Sequence, residues 1–148
     1  MAHASPPILW PTMALALLIF TVWFVLLRRR FTHIAANPPT AKTFADGESV
    51  ARYFHPVERP AHNLANLFEM PVLYFALVPL LMLTGHASAS QIVLAWIFVA
   101  LRALHSVVHI GPNAVRLRAR LYIASCAVLA AMWLGFAIGL LIHAGTGA

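Results

Sequence analysis

Four stretches of this chain are apolar for long enough to cross a bilayer, and short polar segments separate them. They run over about residues 8–27, 63–84, 91–109 and 120–142. Each approaches the roughly 20 residues that a helix needs to span the hydrocarbon core. The first run ends at Arg28-Arg29-Arg30. A cleaved signal peptide carries its positive charge before the apolar run, so this pattern predicts a retained first helix. The second run contains Pro71 and Pro79. Membrane helices tolerate proline, generally with a kink. The expectation is an all-α fold: a single integral-membrane four-helix bundle over residues 1–148.

The connections set the expected direction. Residues 28–62 carry the three arginines together with Lys42, Arg52 and Arg59, and the segment before the last span carries Arg116 and Arg118. The connection Gly85-His86-Ala87-Ser88-Ala89-Ser90 has no formal charge. Basic loops stay on the cytoplasmic side, so both termini are expected outside. Within the 28–62 loop, Asn37-Pro38-Pro39 interrupts any continuous helix. A loop of this length is commonly a functional lid or a linker. Its aromatics, Phe31, Phe44, Tyr53 and Phe54, suggest that it lies against the membrane face.

Composition agrees with a membrane protein. Of 148 residues, 61% are hydrophobic and 9% charged, against about 25% charged in a soluble domain. The net charge of +6 is concentrated in the two basic loops, which is a topology signal and not a nucleic-acid-binding face. The single cysteine, Cys126, lies in an apolar run and reads as an inert buried thiol. The eight histidines include the i, i+4 pair His105 and His109. No third ligand is evident and Arg102 would repel a cation, so no metal is expected.

The candidate chemistry lies inside the membrane. His62, Asn66 and Glu69 fall within about 60° on one helical face, and Arg102, His105 and His109 repeat the three-and-four spacing on the next span. Glu69 would sit roughly 9 Å inside its span and Arg102 roughly 10 Å inside the other, at matching depth. A charge at the bilayer centre costs about 2.5–3.5 kcal/mol on insertion scales. The spacing therefore predicts a Glu69–Arg102 ion pair and a polar pocket opening toward the cytoplasm. The pair could serve a ligand, or it could only orient two helices. Weaker features are Gly135 and Gly139, which permit close helix contact, and Trp10 and Tyr122, which suit the two membrane interfaces.

The ordered set Asn66-Leu67-Phe68-Glu69-Met70-Pro71, then Arg102-Ala103-Leu104-His105, then a basic segment before a last helix, resembles the MAPEG family, the membrane-associated proteins of eicosanoid and glutathione metabolism. The run from Arg102 to His109, with Asn113 and Arg118 behind it, looks most like the bacterial branch of that family. The resemblance implies a homotrimer of four-helix subunits. It also implies glutathione bound as substrate or cosubstrate between subunits near the cytoplasmic side, and lipophilic small molecules as second substrates. It carries the glutathione peptide onto Asn66 and Glu69, and a carboxylate onto Arg116 or Arg118. The thiolate would fall to one of Arg28, Arg29 and Arg30. His62, Arg102, His105 and His109 complete the implied binding set.

This chain departs from the catalytic members at several positions. His62 stands where they carry arginine, Met70 where some carry tyrosine, and His105 and His109 where tyrosines are frequent. The leading expectation is a membrane-bound glutathione-dependent transferase or peroxidase acting on lipophilic electrophiles. The alternative is a non-catalytic lipid-binding or structural protein of the same fold, and a proton-coupled transporter comes third. Partners are further copies of the chain, membrane lipids and lipophilic small molecules, with no nucleic acid. The compact layout without a targeting segment points to a bacterial inner membrane, with both termini periplasmic.

Overall fold

The computed structural model describes residues 6–146. It is all-helical: α1 spans Leu9–Ala36, α2 Gly47–Phe54, α3 Arg59–Leu67, α4 Met70–Leu83, α5 Ala89–Ile110 and α6 Val115–Thr146. Four helical stretches are long and apolar enough to cross a membrane: α1, α3 with α4, α5 and α6. Residues 1–5 and 147–148, and with them the expected placement of the extreme termini, lie outside the described residues.

Three boundaries differ from the sequence expectation, each for a local reason. α1 continues nine residues past Leu27 to Ala36, because arginine is a good helix former. Asn37, ahead of two prolines, ends it. α6 begins at Val115, once Gly111-Pro112 has closed α5 and Asn113 has turned the chain at φ 53°. Asparagine enters this left-handed region more readily than most residues. Arg116, Arg118 and Arg120 are therefore helical: Arg116 and Arg120, four residues apart, share one face, and Arg118 points to the opposite one. The segment after α1 is also more ordered than an irregular loop. It holds short 3-10 turns at Ala41–Phe44 and His55–Val57, and α2 is capped by Asp46 accepting from the Ser49 amide at 2.7 Å.

The second span is two helices. α3 ends at Leu67, Phe68 and Glu69 leave helical geometry (φ −106°, ψ 6° and φ −87°, ψ −100°), and α4 starts at Met70. Pro71 accounts for the break, because its ring would clash with the Leu67 carbonyl and it has no N–H to give. Pro79, by contrast, is accommodated inside α4.

The core joins all four spans through Leu15, Tyr74, Leu77, Phe98, Leu129 and Met132. Tyr74 and Phe98 stack at 5.2 Å, and Tyr74 shares a 3.0 Å hydroxyl contact with Thr12. α5 and α6 form the most extensive helix pair. Gly135 and Gly139 make it possible: a Cβ on Gly135 would lie 3.2 Å from the Gln91 side chain, and one on Gly139 would lie 2.6 Å from the His86 ring. Gln91 Nε2 donates to the Met132 carbonyl at 2.9 Å across this interface. The two glycines are thus used within the chain, where close approach and interhelical hydrogen bonds replace the missing hydrophobic drive of a lipid environment.

Candidate functional site

The break between α3 and α4 places the first functional side chain. Glu69 sits in the irregular turn, exposed, and its carboxylate accepts from the Tyr122 hydroxyl of α6 at 3.2 Å. Asn66 lies one turn earlier on α3. From α5, buried His105 donates through Nδ1 to the Arg118 carbonyl at 3.1 Å. A carbonyl can only accept, so the proton is on Nδ1 and the buried Nε2, which has no partner, is left with an acceptor lone pair. Arg118 Nη1 donates to Asn113 Oδ1 at 2.8 Å, so the left-handed turn at Asn113 also orients the arginine. Asn66, Glu69, His105, Arg118 and Tyr122 line one cleft of about 310 Å³. That is at the small end of the range for ligand pockets, about 300–1,000 Å³.

The expected Glu69–Arg102 ion pair does not form. Arg102 is fully buried, and its Nε, Nη1 and Nη2 have no hydrogen-bond partner. Its guanidinium carbon lies 4.9 Å from the centre of the Tyr122 ring and 5.7 Å from that of Phe98. The expected pairing assumed an unbroken second span. The Pro71 break turns Glu69 outward, and Tyr122 fills the space between, offering its hydroxyl to the carboxylate and its ring to the guanidinium. His109, also buried, has Nδ1 at 3.5 Å from the side-chain amides of both Asn63 and Asn66.

The cleft thus brings together one carboxylate, one guanidinium, a carboxamide, a phenol and an imidazole. The MAPEG family model matches residues 8–138. The chain belongs to the MAPEG family. Members of this family are membrane glutathione-dependent transferases and peroxidases, and this MAPEG chain is an integral membrane protein with four candidate spans. No curated protein and no solved structure matches it.

The remaining candidates of this MAPEG chain lie outside the cleft. Arg116 is exposed on another face of α6. His62 is exposed on α3 and lines a separate cleft with Arg30, Phe54 and Glu58. There Arg30 pairs with Glu58 at 2.6 Å and lies 4.7 Å above the Phe54 ring. Arg28 and Arg29 face a third cleft, and Arg29 Nη2 reaches the Ile110 carbonyl at 3.4 Å. Among the described residues no group of three or more His, Cys, Asp or Glu could hold a metal ion.

Sequence reading missed Tyr122 as a site residue, taking it for an interface anchor. The signal was present: Tyr122 follows Arg118 by one helical turn, and so shares its face.

Proposed function

We propose that this protein is a membrane-bound glutathione-dependent transferase or peroxidase acting on lipophilic electrophiles, with glutathione held in the cleft at the α3–α4 break. The observation that carries the reading is the convergence of Asn66, Glu69, His105, Arg118 and Tyr122 on that cleft. Glutathione carries two carboxylates and one ammonium. Glu69 meets the ammonium, Arg118 takes a carboxylate in bidentate fashion, and Asn66 pairs with the peptide. His62, one turn before Asn66 on α3 and lining the neighbouring cleft, takes the second carboxylate.

We extend the glutathione site from the α3–α4 break into the separate cleft that His62, Arg30 and Glu58 line; of the three arginines that follow the first apolar run Arg30 is the one there, and released from Glu58 it takes the thiolate role. A nearby guanidinium favours the thiolate over the thiol and so enriches the nucleophile. The thiolate sulfur forms a bond to the electrophilic carbon as the leaving group departs, and no covalent nucleophile of the protein is needed. The bilayer delivers the second substrate laterally. The working form is a homotrimer in a bacterial inner membrane, with the cleft facing the cytoplasm and both termini periplasmic.

The test is calorimetric titration of glutathione into detergent-purified protein, with thiolate absorbance followed in parallel. Saturable binding is expected. Glu69→Gln and Arg118→Gln should each weaken it by roughly tenfold or more, the range for a hydrogen bond to a charged group. A second reading, a non-catalytic lipid-binding or structural protein, is favoured by one observation: among the described residues Arg118 is the single arginine lining the cleft. Absence of binding at millimolar glutathione would decide for that second reading.

A further inference from the structure

We propose that the basic end of α1 is a binding site for the phosphodiester headgroup of an anionic phospholipid. The site is the largest cleft described, about 670 Å³. One wall is a single stripe of α1: Val25, then Arg28 and Arg29, then Thr32 and His33, with Asn37 at the helix end and Val57 opposite. The spacing of three and four residues keeps these side chains on one face. No Asp or Glu lines the cleft. The acid next in sequence to Val57, Glu58, is already paired with Arg30 on another side. Two guanidiniums, one of them touching the Ile110 carbonyl through a single nitrogen, and a hydroxyl therefore supply donors around a cavity without a counter-charge, while the Asn37 amide is held by the His33 carbonyl.

Depth identifies the source of the phosphate. The apolar run from Ile8 to Leu27 is about 30 Å long at 1.5 Å per residue, which equals the thickness of the hydrocarbon core. Val25 is therefore still within the acyl region, and Arg28 and Arg29 begin the headgroup layer. A lipid phosphate sits at that level with its chains against Val25 and the lipid-facing surface of α1, where Leu17, Phe20 and Phe24 are exposed. A soluble phosphate would gain nothing from that apolar continuation. Basic residues just past a span are attracted to an anionic surface. A cleft that gathers two of them around one phosphate turns that diffuse attraction into a site.

The experiment is native mass spectrometry of the protein released from nanodiscs of mixed phosphatidylglycerol and phosphatidylcholine. Retention of one phosphatidylglycerol per chain, in preference to phosphatidylcholine, is expected. Arg28→Gln/Arg29→Gln should lose it. The charge-matched control Arg52→Gln/Arg120→Gln, both exposed and outside the cleft, should keep it. Equal loss or equal retention in the two double variants would reduce the effect to diffuse electrostatics and overturn the site. Displacement by soluble glycerol phosphate at millimolar concentration would overturn the lipid as its source. Displacement by glutathione would return Arg28 and Arg29 to the glutathione site and overturn the proposal too. A thermal unfolding scan of both double variants checks that the bundle is intact. If the first fails to fold, a salt series on the native chain and the control variant decides: loss at the same salt is expected, and loss from the control at distinctly lower salt would make diffuse charge the cause and overturn the site.

Discussion

Arg102 shows how a residue-scale expectation fails and what replaces it. Its burial was expected from its place in an apolar run, but its partner was not. The choice between Glu69 and an aromatic ring depends on a backbone break that no charge pattern encodes. Fully buried between Phe98 and Tyr122 with no hydrogen-bond partner, the guanidinium gains a cation–π attraction of about 0.5–2 kcal/mol. That is less than the roughly 2.5–3.5 kcal/mol a charge costs at the bilayer centre. Removing it leaves no polar partner orphaned, unlike breaking a true ion pair, which costs about 3–5 kcal/mol. Arg102→Met, which keeps the volume, should therefore leave the thermal unfolding midpoint unchanged or raise it. Glutathione affinity should fall, because Tyr122 loses the support beneath its ring and its hydroxyl is no longer aimed at Glu69. A lowered midpoint would instead show Arg102 to be a helix-orienting group. The same reasoning explains the missed Tyr122, whose ring faces Arg102 while its hydroxyl reaches Glu69.

At the scale of elements, the four spans were readable from hydropathy alone because apolar length is a direct physical requirement of the bilayer. Boundaries were less so, since arginine signals topology without ending a helix. α1 and α6 both absorb basic residues that seemed to belong to loops. The functionally important boundary is the break at Phe68 and Glu69. Pro71→Ala removes the clash with the Leu67 carbonyl and restores an N–H to bond there. α3 and α4 should then join into one helix, drawing Glu69 away from the Tyr122 hydroxyl. The expected result is slowed amide hydrogen exchange across residues 67–72, with glutathione affinity reduced to the level of Glu69→Gln. Pro79→Ala, inside an already continuous α4, should change exchange locally and leave affinity unaltered. If Pro71→Ala binds glutathione as tightly as the native chain, the break is incidental to the site.

For the whole molecule, α5 and α6 shape the cleft at one end and approach closely at the other. The cleft draws His105 from α5 and Arg118 and Tyr122 from α6, all near the basic end of the bundle. The tight approach that fixes the two helices lies at the other end, where Gly139 faces His86 and Gly135 faces Gln91. The pair of glycines was visible in the sequence, but their partners were not, because a loop histidine and a polar residue in the first turn of a membrane helix carry no contact signature. A methyl group on Gly135 meets Gln91 Nε2 at 3.2 Å, the atom that donates to the Met132 carbonyl, so the side chain must give by only a few tenths of an ångström while keeping that bond. On Gly139 it would lie 2.6 Å from the His86 ring, whose Nδ1 is already engaged with the Thr84 carbonyl at 2.9 Å, so that ring has less freedom to retreat. Gly139→Ala should therefore destabilise the bundle by about 1–3 kcal/mol, as overpacking does, and Gly135→Ala by clearly less. Because the α5–α6 pair is a lever between the two ends, Gly139→Ala should also weaken glutathione binding at a distance. Combining Gly139→Ala with His86→Ala, which vacates the space, should restore both stability and affinity. A thermal unfolding scan and a glutathione titration on the single and double variants measure this directly, and failure of the double variant to recover either property would show that the far end does not set the geometry of the cleft.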